Sequence, residues 1–456
     1  MNKLQNLPEH LLKTDTSTLK RHWLFSHLLQ AARDPLSFFN YAREYGADII
    51  PSRVGWTRVL LLNHPNYIEE VFSQQNRMFM RKGHFLRNNS KLLLGNGLFL
   101  SEGKFYQHQR KLAQPAFHKQ MITSYGEVMV EETNRVIATW QDGQKRDVYQ
   151  EFVGITMSII AKTMLGTELA PVAANIVTTV LDATMNRFVN RMNALFLVPN
   201  WFPTPGHLRF RRAVKQLDQV VYDIINQRCT NEKSQGNFLD LLIYAQQKEG
   251  GQITLQQLRD EVINIFLAGH ESTAIALTWT SYLLSQHPSV EAKLIEELQT
   301  VLRGRTPTVA DLPQLRYTEA IALEALRLYP PVWLMERVAL EDTEISGYSV
   351  AKGTRVFAVP WSAHRNPEFF PEPEKFNPSR WEDGLAKRIP LGAYFPFSLG
   401  ERSCIGKDFG MMEIVLLIAT IFQNFQLKLV PGHPVEIFPS LTLRPKHGMK
   451  MLLTKR

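Results

Sequence analysis

From Glu102 onward, apolar positions recur every three to four residues, the periodicity of helices that bury one face. The pattern predicts helices over 105–112, 119–141, 149–165, 173–197, 208–227 and 237–246. Thr254 then stands as an N-cap before an apolar run from Leu255 to His287, where Pro288 forbids long continuation. At about 1.5 Å per residue this run would span nearly 50 Å, long enough to cross the middle of a large domain. Further helices are expected over 290–303, 318–329 and 407–425.

Strand patterns are fewer. Arg53 to Leu62 reads as a strand, with Gly55 and Trp56 turning within or beside it. Residues 338–359 alternate around turn glycines at 347 and 353, and the tail alternates like a terminal hairpin. Residues 19–50 include a helix ending near Tyr45, and VPNWFPTPG over 198–206 breaks helix and makes a loop. Residues 361–400 are dense in Pro, Gly and aromatics with little periodicity, and so long an irregular stretch inside a domain is often functional. No repeat or interdomain linker interrupts the chain. The expectation is one mainly α domain with a minor β part over residues 1–456, with no fused reductase domain.

Composition narrows the classes. Of the 456 residues, 44% are apolar and 21% charged, as in ordinary soluble globular proteins. Two cysteines, Cys229 and Cys404, make no disulfide scaffold and fit a reducing compartment. The first residues lack a sustained apolar core, so neither a signal peptide nor an anchor is expected, and the location expected is cytoplasmic. The net charge of +9 fits a solvated surface or an acidic protein partner. Scattered basic residues without a finger or RNA-binding motif argue against nucleic acid.

The chemistry concentrates around Cys404, in FPFSLGERSCIGKDFGMME over 395–413. The cysteine lies in a loop punctuated by Gly400 and Gly406, which permit a tight turn and close approach to a flat ligand. Peptide N–H groups and a helix starting just after the sulfur favour a thiolate. A thiolate without a partner cysteine or nearby histidine suits an axial haem ligand. The alternative is an inert buried thiol, which is the plain reading of Cys229.

This segment resembles the haem-binding loop of the cytochromes P450, with the pattern complete as Phe397, Gly400, Arg402, Cys404 and Gly406. The resemblance implies a P450 fold, with a long central helix over haem b. It further implies Cys404 as the iron ligand, Phe397 packed near the sulfur and Arg402 on a haem propionate. FLAGHESTAIALTW over 266–279 interrupts the long apolar helix with polar residues. Read alone it is a kink with a solvated face, since Ser272 can bond back to the Ala268 carbonyl and open a groove. It resembles the family's distal helix, which implies that Ala268 and Gly269 make room for oxygen. Glu271 and Ser272 would then be the acid–alcohol pair directing protons. Serine replaces the commoner threonine there and loses the methyl that restrains its rotamer, with Thr273 a partial substitute. His270 is expected on the helix surface or lining the cavity.

Glu324 and Arg327, three apart on one helical face, match the family's Glu-x-x-Arg, and Arg380 completes its triad. These three are expected to be structural, and 364–367 resembles the family's meander. GKFYQHQRKL resembles the helix carrying a second propionate arginine, here Arg110, with Tyr106 in place of tryptophan. Arg337 is a third propionate candidate, weighed against a surface arginine. The family reading implies a monooxygenase that inserts one atom of O2 into a small hydrophobic substrate. Its electrons would come from a separate ferredoxin or flavodoxin with its reductase, docking near Lys111 and Lys407. The chain would be a monomer. Fatty acids, terpenes and steroids all remain open as substrates. The segments 79–100, 188–202 and 332–335 would line the pocket, and Arg81 or Arg87 could hold a carboxylate. A donor-independent isomerase or dehydratase, a peroxide-driven hydroxylase and a haem sensor are the rival readings.

Overall fold

The computed structural model describes residues 34–44, 46–54, 56–75, 77–79, 83–193, 204–230, 236–248 and 253–456. The expectations for the first 33 residues, for Arg81 and for the loop up to Pro203 lie outside them.

Among the described residues the longer helices are α1 (Pro35–Glu44), α2 (His84–Leu94), α3 (Gly103–Ala113) and α4 (Lys119–Ile137). Next come α5 (Val148–Ile160), α6 (Pro171–Asn193), α7 (Pro205–Thr230) and α8 (Phe238–Lys248). The last four are α9 (Leu255–Gln286), α10 (Pro288–Leu302), α11 (Arg316–Leu328) and α12 (Lys407–Asn424). Short strands complete the fold. β1 (Ile49–Val54) and β2 (Thr57–Leu62) form a hairpin, and β3 (Lys145–Asp147) follows. β4 (Met335–Val338), β5 (Thr343–Ile345), β6 (Tyr348–Val350) and β7 (Arg355–Ala358) occupy the alternating region. β8 (Phe425–Leu429), β9 (Ile437–Pro439), β10 (Leu443–Pro445) and β11 (Lys450–Lys455) form the tail.

The sheets are small: β1-β2-β7-β4 in one, β3-β11-β8 in another, and the pairs β5-β6 and β9-β10. The expected terminal hairpin is thus β8 against β11, with a second hairpin, β9–β10, inserted between them. The stretch 53–62 divides between the end of β1 and β2, so the turn falls within it, one of the two placements expected.

Helix α9 runs through the main core, and most of its length is buried on all sides. Its start follows a capping box. Thr254 Oγ1 accepts from Gln257 N at 3.2 Å, and the Gln257 side chain accepts from Thr254 N at 2.7 Å. Pro288 takes the first position of α10, where its missing N–H costs nothing. The helix expected over 149–165 ends its α-helical part at Ile160. One π-helical turn, Ala161–Leu165, then closes on Gly166 at φ +64°.

The irregular stretch 361–400 is held by buried charge. Glu324 accepts from Arg327 at 2.8 Å through both oxygens, from Arg380 at 2.9 Å and from Trp381 Nε1 at 2.8 Å. Arg327 also donates to the carbonyls of His364, Pro373 and Lys375. Burial would raise the Glu324 carboxyl, but the two guanidiniums outweigh it and hold it below its ordinary value. A segment without periodicity is thereby fixed to α11, which positions the Cys404 loop that follows it.

Candidate haem-thiolate site

The loop before α12 is shaped by its backbone. Gly400 has φ +65°, and a Cβ there would lie 2.4 Å from the carbonyl oxygen of Phe72. Glycine is therefore required for the loop to close on the turn at Glu70–Gln74. Ser398, at φ +62°, stores strain in the same loop. The Cys404 N–H donates to Phe397 O at 2.8 Å, folding the chain back under the sulfur. Gly406 caps α12, so the helix N-terminus faces the cysteine.

Cys404 is accessible to a solvent-sized sphere although protein surrounds it deeply on all sides. That combination marks a side chain facing an internal space. Burial pushes the Cys404 thiol up from its ordinary value, and the Gly406 N–H and Arg110 pull it down without prevailing. The Gly406 N–H thus acts in the direction expected of the loop dipoles, against the larger effect of burial. A metal cation bound at the sulfur would favour the thiolate further.

Three guanidiniums, those of Arg110, Arg402 and Arg337, converge beside this loop. Arg110 Nη1 donates to Ser403 O at 2.8 Å and to the Tyr106 hydroxyl at 3.0 Å. The Tyr106 hydroxyl donates to Glu401 O at 2.6 Å. Arg402 stacks on the Tyr106 ring at 3.7 Å and donates to the carbonyls of Leu98 and Ser101. Arg337 is fully buried rather than on the surface, stacked 4.5 Å from the Phe72 ring. Burial first, then repulsion from Arg402, pushes Arg337 down to about 10. Arg402 is lowered by burial as well, with Arg110 and Arg87 adding to the effect. Arg87 is ion-paired with Glu102, which leaves Arg110, Arg337 and Arg402 to meet an anion. The two propionates of haem, with the thiolate donor alongside, fit this set of residues.

The remaining candidate residues lie on α9. Ala268 is exposed within this otherwise buried helix, and Ser272 Oγ donates back to Ala268 O at 2.8 Å, as the sequence suggests. A Cβ at Gly269 would lie 2.5 Å from Cδ1 of Ile160, so its lack of a side chain lets α5 pack closely. His270 departs from expectation, being fully buried. Its Nδ1 lies 2.7 Å from Phe266 O, and burial lowers its pKa. A neutral core histidine results.

Glu271 makes no hydrogen bond to Ser272. Its Oε1 accepts from Arg444 Nε at 2.5 Å, from Thr442 Oγ1 at 3.3 Å and from the Tyr149 hydroxyl at 3.4 Å. Oε2 is buried and has no partner. Burial opposes the Arg444 charge, yet Glu271 and Tyr149 raise its pKa above the ordinary value. Arg444 also donates to Asp182 of α6 at 2.8 Å. Thr273 turns to the other flank. It bonds Gly269 O at 3.3 Å and lies beside Glu413 of α12. Glu413 is fully buried with both oxygens unpartnered, and burial pushes it up to about 8 despite Thr273.

Sequence reading missed Arg444 and Glu413. Glu413 stood inside the quoted cysteine segment, nine residues after the ligand, and an acid in so apolar a helix was the available signal. Arg444 carried none, because it sits in a tail hairpin 173 residues from Glu271.

A cysteine loop beside buried arginines, together with a long central helix interrupted by polar residues, is a residue set that suits a haem-thiolate protein. Known proteins agree. The profile of the Cytochrome P450 family matches residues 17–453. Cyclooctat-9-en-7-ol 5-monooxygenase of Streptomyces melanosporofaciens is 34% identical, over 90% of this chain and 88% of its own. Pentalenene oxygenase of Streptomyces avermitilis is 31% identical, over 94% and 95%. Among solved structures, the cytochrome P450DA heme domain superposes with a TM-score of 0.82 at 25% identity, covering 92% of this chain and 93% of that one. The chain belongs to the cytochrome P450 family and is a monooxygenase of it.

Proposed function

We propose that this monooxygenase hydroxylates a terpene-sized apolar hydrocarbon at haem b. The electrons come from a separate ferredoxin or flavodoxin with its reductase. The observation carrying the substrate class is the fate of Arg87, the described one of two cations that could anchor a fatty-acid carboxylate. It is ion-paired with Glu102 and donates to Leu100 O at 3.1 Å, so it is committed within the protein. A substrate without a carboxylate needs no such anchor and is held by shape. Relatives named for oxidising cyclooctat-9-en-7-ol and pentalenene support the same class.

Haem bound here supplies the activation of O2 and the oxidising power for a C–H bond. The protein's residues do the rest. Cys404 would hold the metal, and Arg110, Arg337 and Arg402 would hold the propionates. Ala268 leaves the groove on α9 open. Ser272, released from the Ala268 carbonyl, presents a hydroxyl that relays protons, while Arg444 donates to the Glu271 carboxylate and fixes its place on the helix. Thr273 and Glu413 flank the groove on the opposite side, with a proton retained on Glu413 at neutral pH.

Lys111 and Lys407 are exposed, stand next in sequence to Arg110 and to the Cys404 loop, and suit an acidic electron donor. The working unit is the monomer, which sedimentation tests. Titration of ferric protein with a sesquiterpene hydrocarbon, a fused-ring diterpene and medium-chain fatty acids tests the substrate class. The terpenes should convert low-spin to high-spin iron. A shift with fatty acids alone contradicts the proposal, as does product formation with the reductase omitted.

A further inference from the structure

The turn between β1 and β2 carries Trp56 fully exposed to solvent. Beneath it Arg53 and Arg58 face each other directly in the antiparallel register, and both are exposed. Like charges opposite one another weaken a hairpin. Neither arginine has a carboxylate partner among the described residues. A large indole in water above two uncompensated guanidiniums is a local conflict that folding does not require, and such conflicts gather at functional surfaces.

We propose that this hairpin tip anchors the enzyme to a membrane surface. Trp56 enters the boundary between headgroups and acyl chains, and Arg53 and Arg58 bond the phosphates of anionic lipids. Tryptophan favours that boundary because its ring is apolar and its N–H polar. Arginine keeps its head among phosphates while its stem lies along apolar surface, and binds phosphate in bidentate fashion. The net charge of +9 adds attraction to an anionic leaflet.

A protein partner fits this tip less well. Stable protein interfaces take roughly 800 Å² from each side, whereas one indole offers about 200 Å². Strand addition is also impeded, because the exposed edge strand β1 carries Pro51. Among the described residues no helix is long and apolar enough to cross a membrane, so attachment through this tip is peripheral.

The test is sedimentation of the haem-loaded enzyme with vesicles of phosphatidylcholine containing about one-third phosphatidylglycerol. The wild type should bind them, and bind pure phosphatidylcholine much more weakly. Trp56→Ala should lower partitioning roughly tenfold through lost apolar burial. Arg53→Gln and Arg58→Gln should each lower it about fivefold, as expected for one basic residue near an anionic surface. Thermal stability and the carbon monoxide spectrum should not change. Absence of wild-type binding, or equal binding by Trp56→Ala, overturns the proposal. A lowered melting temperature in Trp56→Ala overturns it too, by showing the indole covered by the chain itself. Weaker ferredoxin affinity in that variant without lipid would assign the tip to a protein partner instead.

Discussion

Replacing Arg444 by leucine removes the cation that Glu271 faces and leaves the rest of its surroundings intact. Arg444 and Glu271 are both buried, and their contact is 2.5 Å. Removing one member of such a pair typically costs about 3–5 kcal/mol, because the other charge stays buried without compensation. The second contact of Arg444, to the largely exposed Asp182, adds at most about 1 kcal/mol. The hydroxyls of Tyr149 and Thr442, at 3.4 and 3.3 Å, are long hydrogen bonds and recover little of the loss. The expected loss is therefore about 4 kcal/mol. Urea unfolding of the haem-loaded protein, followed by circular dichroism and by the Soret band, measures it. Glu271→Gln in the Arg444→Leu background should restore most of the stability, since a neutral amide no longer needs the cation. An Arg444→Leu variant within about 0.5 kcal/mol of wild type, or one that Glu271→Gln fails to rescue, refutes the reasoning.

Other residues give separate tests. Glu413 has a folded pKa raised from 4.5 to about 8, so folding takes up a proton between those values. Its contribution to stability is therefore greatest below about pH 4.5 and declines as pH rises toward 8. Glu413→Gln should stabilise the fold at pH 7 by up to about 3 kcal/mol and flatten the pH dependence of urea midpoints between pH 5 and 8. Gly269→Ala should cost about 1–3 kcal/mol by overpacking against Ile160, and Ile160→Ala should relieve it in the double variant. Ser272→Ala should keep haem and substrate affinity but release more peroxide per product, measured against oxygen consumed. Unchanged coupling counts against a relay by this hydroxyl.

What the sequence disclosed followed from how local each feature is. The loop from Phe397 to Gly406 is one contiguous stretch, so its residue types and spacing were readable before any fold was known. The central helix was equally plain, since Thr254 and Pro288 punctuate it at both ends. Interactions between distant segments were not legible. Glycine at 269 has several possible reasons, and only the packing of α5 shows that Ile160 takes the space. The acid at 271 could be read as a neighbour of Ser272, but the arginine that binds it comes from β10. Arg337 looked equally like a surface residue, because burial at the end of a short strand depends on what covers the sheet. The π-helical end after Ile160 left the 3.6-residue periodicity almost unchanged and so gave no warning.

The central claim is that Cys404 binds haem iron through its thiolate. The spectrum of purified protein, reduced and exposed to carbon monoxide, tests it directly. The wild type should show the red-shifted Soret band characteristic of a thiolate-ligated haem, and Cys404→His should retain haem but lose that band. A wild-type band at the position of histidine-ligated haem, or an unchanged thiolate band in Cys404→His, would contradict the assignment.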